Sequence, residues 1–169
     1  MFKQLSAYRI DPAALPDADC FAAALERSRF LPCAPTQPLA VGWVAPRAEP
    51  HAPLAERVAG LWQATLAFEQ RLLPPSVVRE QVQARAARIE QETGLRPGKR
   101  ALRDLRDELT LELLPRAFTR RAVVQVWIDP AQGWLWLDAG SAARLDATLS
   151  AVVQALPALA PRALATIES

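Results

Sequence analysis

The sequence predicts an α+β fold: a mostly antiparallel sheet with helices packed on it and a protruding antiparallel helical hairpin. Strand-like and helix-like hydrophobic patterns follow one another in the order βαββ, then αα, then ββα. The chain has 169 residues, of which 51% are hydrophobic, and this is enough for one domain with a sizeable core. We expect a sheet body over residues 1–75 and 116–169 and a hairpin tip over residues 76–115.

The first part of the chain has strand patterns interrupted by one short helix. Residues 2–10 are predicted to form a strand, and Asp17 suits the N-cap of the helix that follows. Residues 39–45 form a second predicted strand, and residues 46–53 a proline-rich loop. Alternate positions of residues 61–73 are apolar, which favours a strand with one buried face over the competing helix. The apolar positions are Trp62, Ala64, Leu66, Phe68 and Leu72.

Two helices are predicted in the middle of the chain. Ser76 suits the N-cap of the first, and Gly94 and Pro97 end it. The second covers residues 99–114 and ends at Pro115. The apolar stripes are Val78, Val82, Ala86 and Ile89 on the first helix and Leu102, Leu105, Leu109 and Leu113 on the second. Two such helices joined by a short turn should pack antiparallel, giving a hairpin roughly 25 Å long.

The last part of the chain predicts a strand hairpin and a helix. Residues 122–129 are nearly all apolar, so we expect a central strand that is buried on both faces. Residues 129–133 form a turn, and residues 134–137 return as the partner strand. Ser141 suits the N-cap of a final helix, and the tail from Ala158 is rich in proline and alanine. We expect that tail to be loosely ordered.

Basic residues are concentrated around the helical hairpin. Residues 76–121 hold eleven Arg and Lys against seven Asp and Glu, a net charge of +4, whereas the whole chain has 20 against 18. Within the second helix, Arg100 with Asp104 and Arg103 with Asp107 are spaced for i,i+4 ion pairs. The candidate DNA-binding residues are Arg96, Lys99, Arg100 and Arg103 at the turn, and Arg116, Arg120 and Arg121 at the exit. This segregation favours an anionic partner, with an ordinary solvated surface as the alternative.

The sequence gives little support for an enzyme. Its single histidine, His51, lies in the proline-rich loop. If a strand hairpin turns around residues 130–133, Asp138 pairs near Gln125 and lies on the order of 13 Å from Asp129. That is too far for a pair of catalytic carboxylates. We find no glycine-rich phosphate loop, nucleophile motif or metal-ligand cluster, so no catalytic residue, cofactor or metal is predicted.

The remaining composition favours a cytoplasmic protein. Cys20 and Cys33 lack metal-ligand spacing, and we expect reduced, buried thiols. No signal peptide and no run of 18 apolar residues is found, so no membrane contact is expected. The five tryptophans fall on predicted strands, where packing in the core is favoured over base stacking.

Several short strings together resemble the RdgC family of bacterial, recombination-associated, nucleoid-located DNA-binding proteins. The most specific is Leu113-Leu114-Pro115-Arg116-Ala117-Phe118-Thr119-Arg120 after a leucine-rich helix. The others are Phe2-Lys3-Gln4-Leu5 with Tyr8-Arg9, Phe30 with Pro32-Cys33, Gly42-Trp43-Val44, Leu73-Pro74-Pro75-Ser76-Val77-Val78, Trp127-Ile128-Asp129, and Asp138-Ala139 with Ser141-Ala142. Their order and spacing match from Met1 to about Pro161.

The resemblance implies a DNA binder that contacts phosphates without sequence specificity and restrains the RecA recombinase by occupying DNA. In that family two horseshoe-shaped subunits close into a ring around duplex DNA, so duplex rather than single-stranded DNA is the implied partner. The hairpin would be the tip of the horseshoe, and Phe118 would lie where two tips meet in a homodimer. Family members are typically near twice this length, so ring closure does not follow for this chain.

The residues alone leave two alternatives open. Phe118 could pack inward against the base of the hairpin or stay exposed as an anchor for a partner. The alternative function is a protein-interaction or dimerisation module that uses the helical hairpin without binding DNA itself. Salt-dependent binding to unrelated duplexes would distinguish the two functions.

Overall fold

A computed structural model describes residues 4–47, 51–159 and 162–168, and it confirms the α+β class. Short 3-10 turns occupy Pro12–Ala14 and Leu114–Arg116. The strands are β1 (Gln4–Arg9), β2 (Leu39–Val44), β3 (Ala55–Val58), β4 (Leu61–Leu72), β5 (Phe118–Asp129), β6 (Trp134–Asp138) and β7 (Arg162–Glu168). The helices are α1 (Ala18–Glu26), α2 (Pro75–Thr93), α3 (Lys99–Leu113) and α4 (Ala142–Ala155).

The strands form one sheet in the order β2-β4-β5-β6-β1-β7, with β3 paired to β4. The ladders β1–β6, β1–β7, β3–β4 and β5–β6 are antiparallel. In the β5–β6 ladder Gln125 lies opposite Asp138, as the sequence predicted. The Asp129 carboxylate accepts hydrogen bonds from the amides of Ala131 and Gln132, so this residue closes the turn between the two strands.

The chain divides into two compact units. The first comprises Met1–Leu31, Val41–Phe68 and Ala122–Ser169, and the second Pro32–Ala40 and Glu69–Arg121. The predicted division into a body and a protruding tip differs from these bounds and stays a prediction.

The first unit has a core made from alternate residues of the strands and one face of two helices. Val126 and Ile128 of β5 are fully buried, and Val152 of α4 joins the same cluster. Phe21 of α1 stacks on Trp62 of β4 with their ring centres 5.3 Å apart. The prediction that residues 122–129 are buried on both faces is wrong, because Gln125 and Trp127 on the alternate positions are only half-buried.

Local capping chemistry sets three helix ends at the residues that the sequence predicted. Asp17 accepts from the Cys20 amide at 2.7 Å, and this hydrogen bond holds the pKa of Asp17 below its usual range. Ser141 caps α4, and Gly94 ends α2 in the left-handed conformation with φ 73°. Ser76 is not an N-cap, since α2 already begins at Pro75, a residue favoured in the first turn because its missing N–H is not needed there.

Three further predictions are corrected. The strand β3 was not predicted, and the tail predicted to be loosely ordered contains β7, which pairs with β1. Cys20 is exposed rather than buried, although both cysteines are free thiols. Trp127, Trp134 and Trp136 are half-buried, while the other two tryptophans lie in the core as expected. Residues 2–3 of the predicted first strand, residues 48–50 of the predicted loop and residues 160, 161 and 169 of the predicted tail lie outside the described residues.

Candidate nucleic-acid interface

Helices α2 and α3 use one narrow stripe each for packing. Val78 and Ala86 of α2 and Leu109 of α3 are buried at helical spacing, and the helices contact each other. Five residues connect Thr93 to Lys99. Because the stripes are narrow, most charged side chains of both helices face solvent.

Four exposed basic side chains surround the connection between α2 and α3, and we call them the turn cations. They are Arg96, Lys99, Arg100 and Arg103. The expected ion pairs of Arg100 with Asp104 and of Arg103 with Asp107 do not form. Within the described residues, none of the turn cations is in an ion pair, whereas Arg88 of α2 pairs with Glu92 at 2.8 Å. Their charges are therefore available to an anionic partner.

The basic residues after α3 lie on two different secondary-structure elements. Arg116 ends the 3-10 turn, while Arg120 and Arg121 are consecutive residues of β5. Side chains of consecutive strand residues point to opposite faces, so Arg120 and Arg121 do not form one patch. The predicted strand began at residue 122, whereas β5 already begins at Phe118. All three side chains are exposed.

Phe118 is the first residue of β5 and is 84% exposed. The inward packing considered from the sequence is not adopted. A phenylalanine with this exposure leaves most of its apolar ring in contact with water.

Arg71 of β4, a residue that the sequence did not single out, organises the backbone beside these side chains. Its guanidinium donates to the carbonyls of Cys33, Leu114 and Ala117 in part-buried positions. It also donates to two exposed carbonyls, those of Ala34 and Pro115. One side chain therefore contacts both the 3-10 turn that carries Arg116 and the residue that precedes Phe118.

A cysteine and a glutamate extend this network. The Glu69 carboxylate accepts from the Cys33 amide at 2.7 Å, and the Cys33 thiol donates to the Glu69 carbonyl at 3.1 Å. Burial, followed by the nearby Glu69 charge, raises the pKa of the Cys33 thiol. A raised pKa keeps this thiol protonated and able to donate at neutral pH.

Two features are absent from the part of the chain that the structure describes. No group of three or more His, Cys, Asp or Glu side chains there could hold a metal ion. No described helix is both long and apolar enough to cross a bilayer.

The described residues thus form an α+β sheet protein with a pair of helices that carry exposed basic side chains. A family model described as "Putative exonuclease, RdgC" matches residues 1–169. The chain therefore belongs to the RdgC family, as its short strings had suggested.

Several relatives are named "Recombination-associated protein RdgC". The chain is 43% identical to one from Dechloromonas aromatica over 86% of this chain and 47% of that relative. It is 39% identical to one from Cupriavidus pinatubonensis, over 94% of this chain and 52% of that relative. The chain thus spans about half the length of the curated relatives it matches. Their names describe a process and not an enzyme, whereas the family description mentions an exonuclease.

Proposed function

We propose that this chain binds DNA through its phosphate backbone, without sequence specificity, and acts in homologous recombination. The observation that carries the proposal is the group of turn cations, which are exposed and have no ion pairs within the described residues. When basic side chains neutralise phosphates, the counterions condensed on the DNA are released. This release favours binding whatever the base sequence. The exit residues Arg116, Arg120 and Arg121 are also exposed, and we propose them as further phosphate contacts.

The names of the relatives support the connection to recombination. A chain that occupies duplex DNA competes with a recombinase for the same phosphates, so restraint of RecA is the proposed consequence. It is tested by adding the chain to a RecA strand-exchange reaction at increasing concentration, with inhibition expected at concentrations that saturate the duplex. Inhibition that excess duplex fails to relieve would contradict competition for DNA.

The DNA-binding proposal is tested by fluorescence anisotropy with two unrelated duplexes at several salt concentrations. Replacing all four turn cations by alanine should weaken both duplexes alike and lower the slope of log affinity against log salt by up to about 3.6, at about 0.9 per contact.

A matched comparison uses two doubly substituted variants with the same change in charge. Lys99→Ala with Arg100→Ala should reduce the slope, whereas Arg27→Ala with Arg57→Ala, exposed residues of the first unit, should leave it unchanged. Equal effects of the two variants would refute the assignment of the turn cations.

The second candidate is a protein-interaction or dimerisation module that has no DNA binding of its own, and the exposure of Phe118 favours it. Phe118→Ser should leave the melting temperature nearly unchanged, because 84% of the side chain is already exposed, and should shift self-association towards monomer in sedimentation. Val123→Ser, at a half-exposed position of the same strand, is the control. A wild-type chain that stays monomeric at high concentration would contradict this role.

The absence of catalysis also stays a prediction. Incubation of end-labelled duplex with the chain and Mg²⁺ should leave the label in full-length DNA. Shortened products, formed by an activity that copurifies with the chain, would show an exonuclease.

A further inference from the structure

A long groove lies between α2 and α3. Seven residues of α2, the first Pro75 and the last Glu90, line one side of the groove. Leu102, Arg103 and Arg106 of α3 line the other side, and Arg96 comes from the connection. Its volume is about 540 Å³, within the usual range of ligand sites. The α2 side extends about 22 Å at 1.5 Å per residue, which matches six or seven residues of extended peptide at about 3.3 Å each.

The groove joins a basic rim to an apolar floor. The rim carries Arg79, Arg96, Arg103 and Arg106, and the only acid among the lining residues is Glu90. All four arginines are exposed and have no ion pair within the described residues. The floor includes Val82 and Leu102, which are half-buried.

The combination of a basic rim and an apolar floor favours one class of anionic partner over the others. A phosphate backbone needs the arginines but has no group to place on an apolar floor. Single-stranded nucleic acids usually stack bases on aromatic side chains, and none lines this groove. An acidic peptide with an apolar residue satisfies both the rim and the floor, because its carboxylates meet guanidinium groups while its anchor displaces water.

We propose that the α2–α3 groove binds an acidic peptide segment that carries an apolar anchor. This partner is additional to DNA and does not depend on the DNA-binding proposal. The two ligands share Arg96 and Arg103, whereas Arg79, Arg106 and the apolar floor serve the peptide alone.

The test uses a fluorescein-labelled octapeptide of aspartate and glutamate with a central leucine and phenylalanine. A second peptide of equal charge has serine at both apolar positions. The first should bind at least tenfold more tightly in anisotropy titrations, because only it can use the floor. Equal affinities for the two peptides would mean that only charge drives binding, and would overturn the proposal. The absence of binding by either peptide would also overturn it.

Two matched variants separate the groove from the rest of the helix. Ala87→Trp fills the groove without changing any charge and should weaken the anchored peptide at least tenfold, while duplex affinity stays within twofold. Ala84→Trp makes the same change at an exposed position of α2 outside the groove and should have no effect. Equal losses in both variants, or a loss of DNA binding equal to that of peptide binding in Ala87→Trp, would refute the site.

Folding is checked by circular dichroism. If Ala87→Trp fails to fold, Leu102→Ala replaces it. That variant keeps every arginine, and it should weaken the anchored peptide at least threefold and leave the serine peptide unchanged. Unchanged binding of the anchored peptide to it would also overturn the proposal.

Discussion

Replacing Arg71 by methionine should destabilise the second unit by about 3 kcal/mol. Three of the hydrogen bonds that its guanidinium donates, to the carbonyls of Cys33, Leu114 and Ala117, are part-buried. At about 1 kcal/mol of net stabilisation each, they give this total, and water replaces the exposed bonds. The donor–acceptor distances of 3.2–3.4 Å are long, so we take the value typical of a neutral pair and not the larger one for a charged donor.

Urea unfolding followed by circular dichroism at 222 nm measures this loss, because the 19 residues of α2 and the 15 of α3 lie in the same unit as Arg71. Arg71→Lys should recover only part of it, since an ammonium cannot reproduce the planar set of donors. Hydrogen exchange should increase at residues 114–118 before it increases in β6, because the arginine holds the 3-10 turn directly.

Arg88→Met is the control for the loss of an arginine. It removes an exposed i,i+4 ion pair with Glu92 and should leave the free energy of unfolding almost unchanged, because water screens such a pair. If Arg71→Met is no more destabilising than Arg88→Met, the five hydrogen bonds contribute nothing beyond solvation, and the argument for Arg71 is wrong.

The remaining predictions concern the core, one glycine and the thiols. Ile128→Ala should cost roughly 2 to 5 kcal/mol in urea unfolding, because the side chain is fully buried; a loss under 1 kcal/mol would contradict its place in the core. Gly42→Ala should abolish soluble expression, since the new Cβ would lie 2.5 Å from the Phe30 Cα atom; normal yield and melting temperature would refute this. Iodoacetamide should modify exposed Cys20 before buried Cys33, and faster as the pH rises, because Asp17 raises the pKa of Cys20 and only the thiolate reacts.

Local signals predicted most of the fold. Asp17, Gly94 and Ser141 act through hydrogen bonds or backbone preferences within a few residues, and these can be recognised in the sequence alone. The strands β3 and β7 were missed for a different reason. A four-residue strand is too short to show alternation, and β7 depends on its ladder with β1, more than 150 positions earlier in the chain.

In the candidate site too, features set by neighbouring residues could be predicted, whereas features set by tertiary contacts could not. Sequence spacing located the turn cations, but it could not decide that Arg100 and Asp104 leave their i,i+4 pair unformed, because such a pair is worth only a few tenths of a kcal/mol. Arg71 carried no signal at all, since its carbonyl partners come from two distant segments. The role of Arg71 depends on the tertiary fold, and neither its residue type nor the hydrophobic periodicity around it indicates that role.

The overlap of the two proposed ligands has a measurable consequence. Arg96 and Arg103 belong both to the turn cations and to the rim of the groove, so an acidic peptide and a duplex should exclude each other. For exclusive binding, peptide at ten times its own dissociation constant raises the apparent dissociation constant of the duplex by about elevenfold. The duplex must lower peptide affinity reciprocally at the same salt concentration. In Ala87→Trp the peptide should no longer compete, although duplex binding persists. Simultaneous binding of both ligands in the wild-type chain would show that the two arginines serve only one of them.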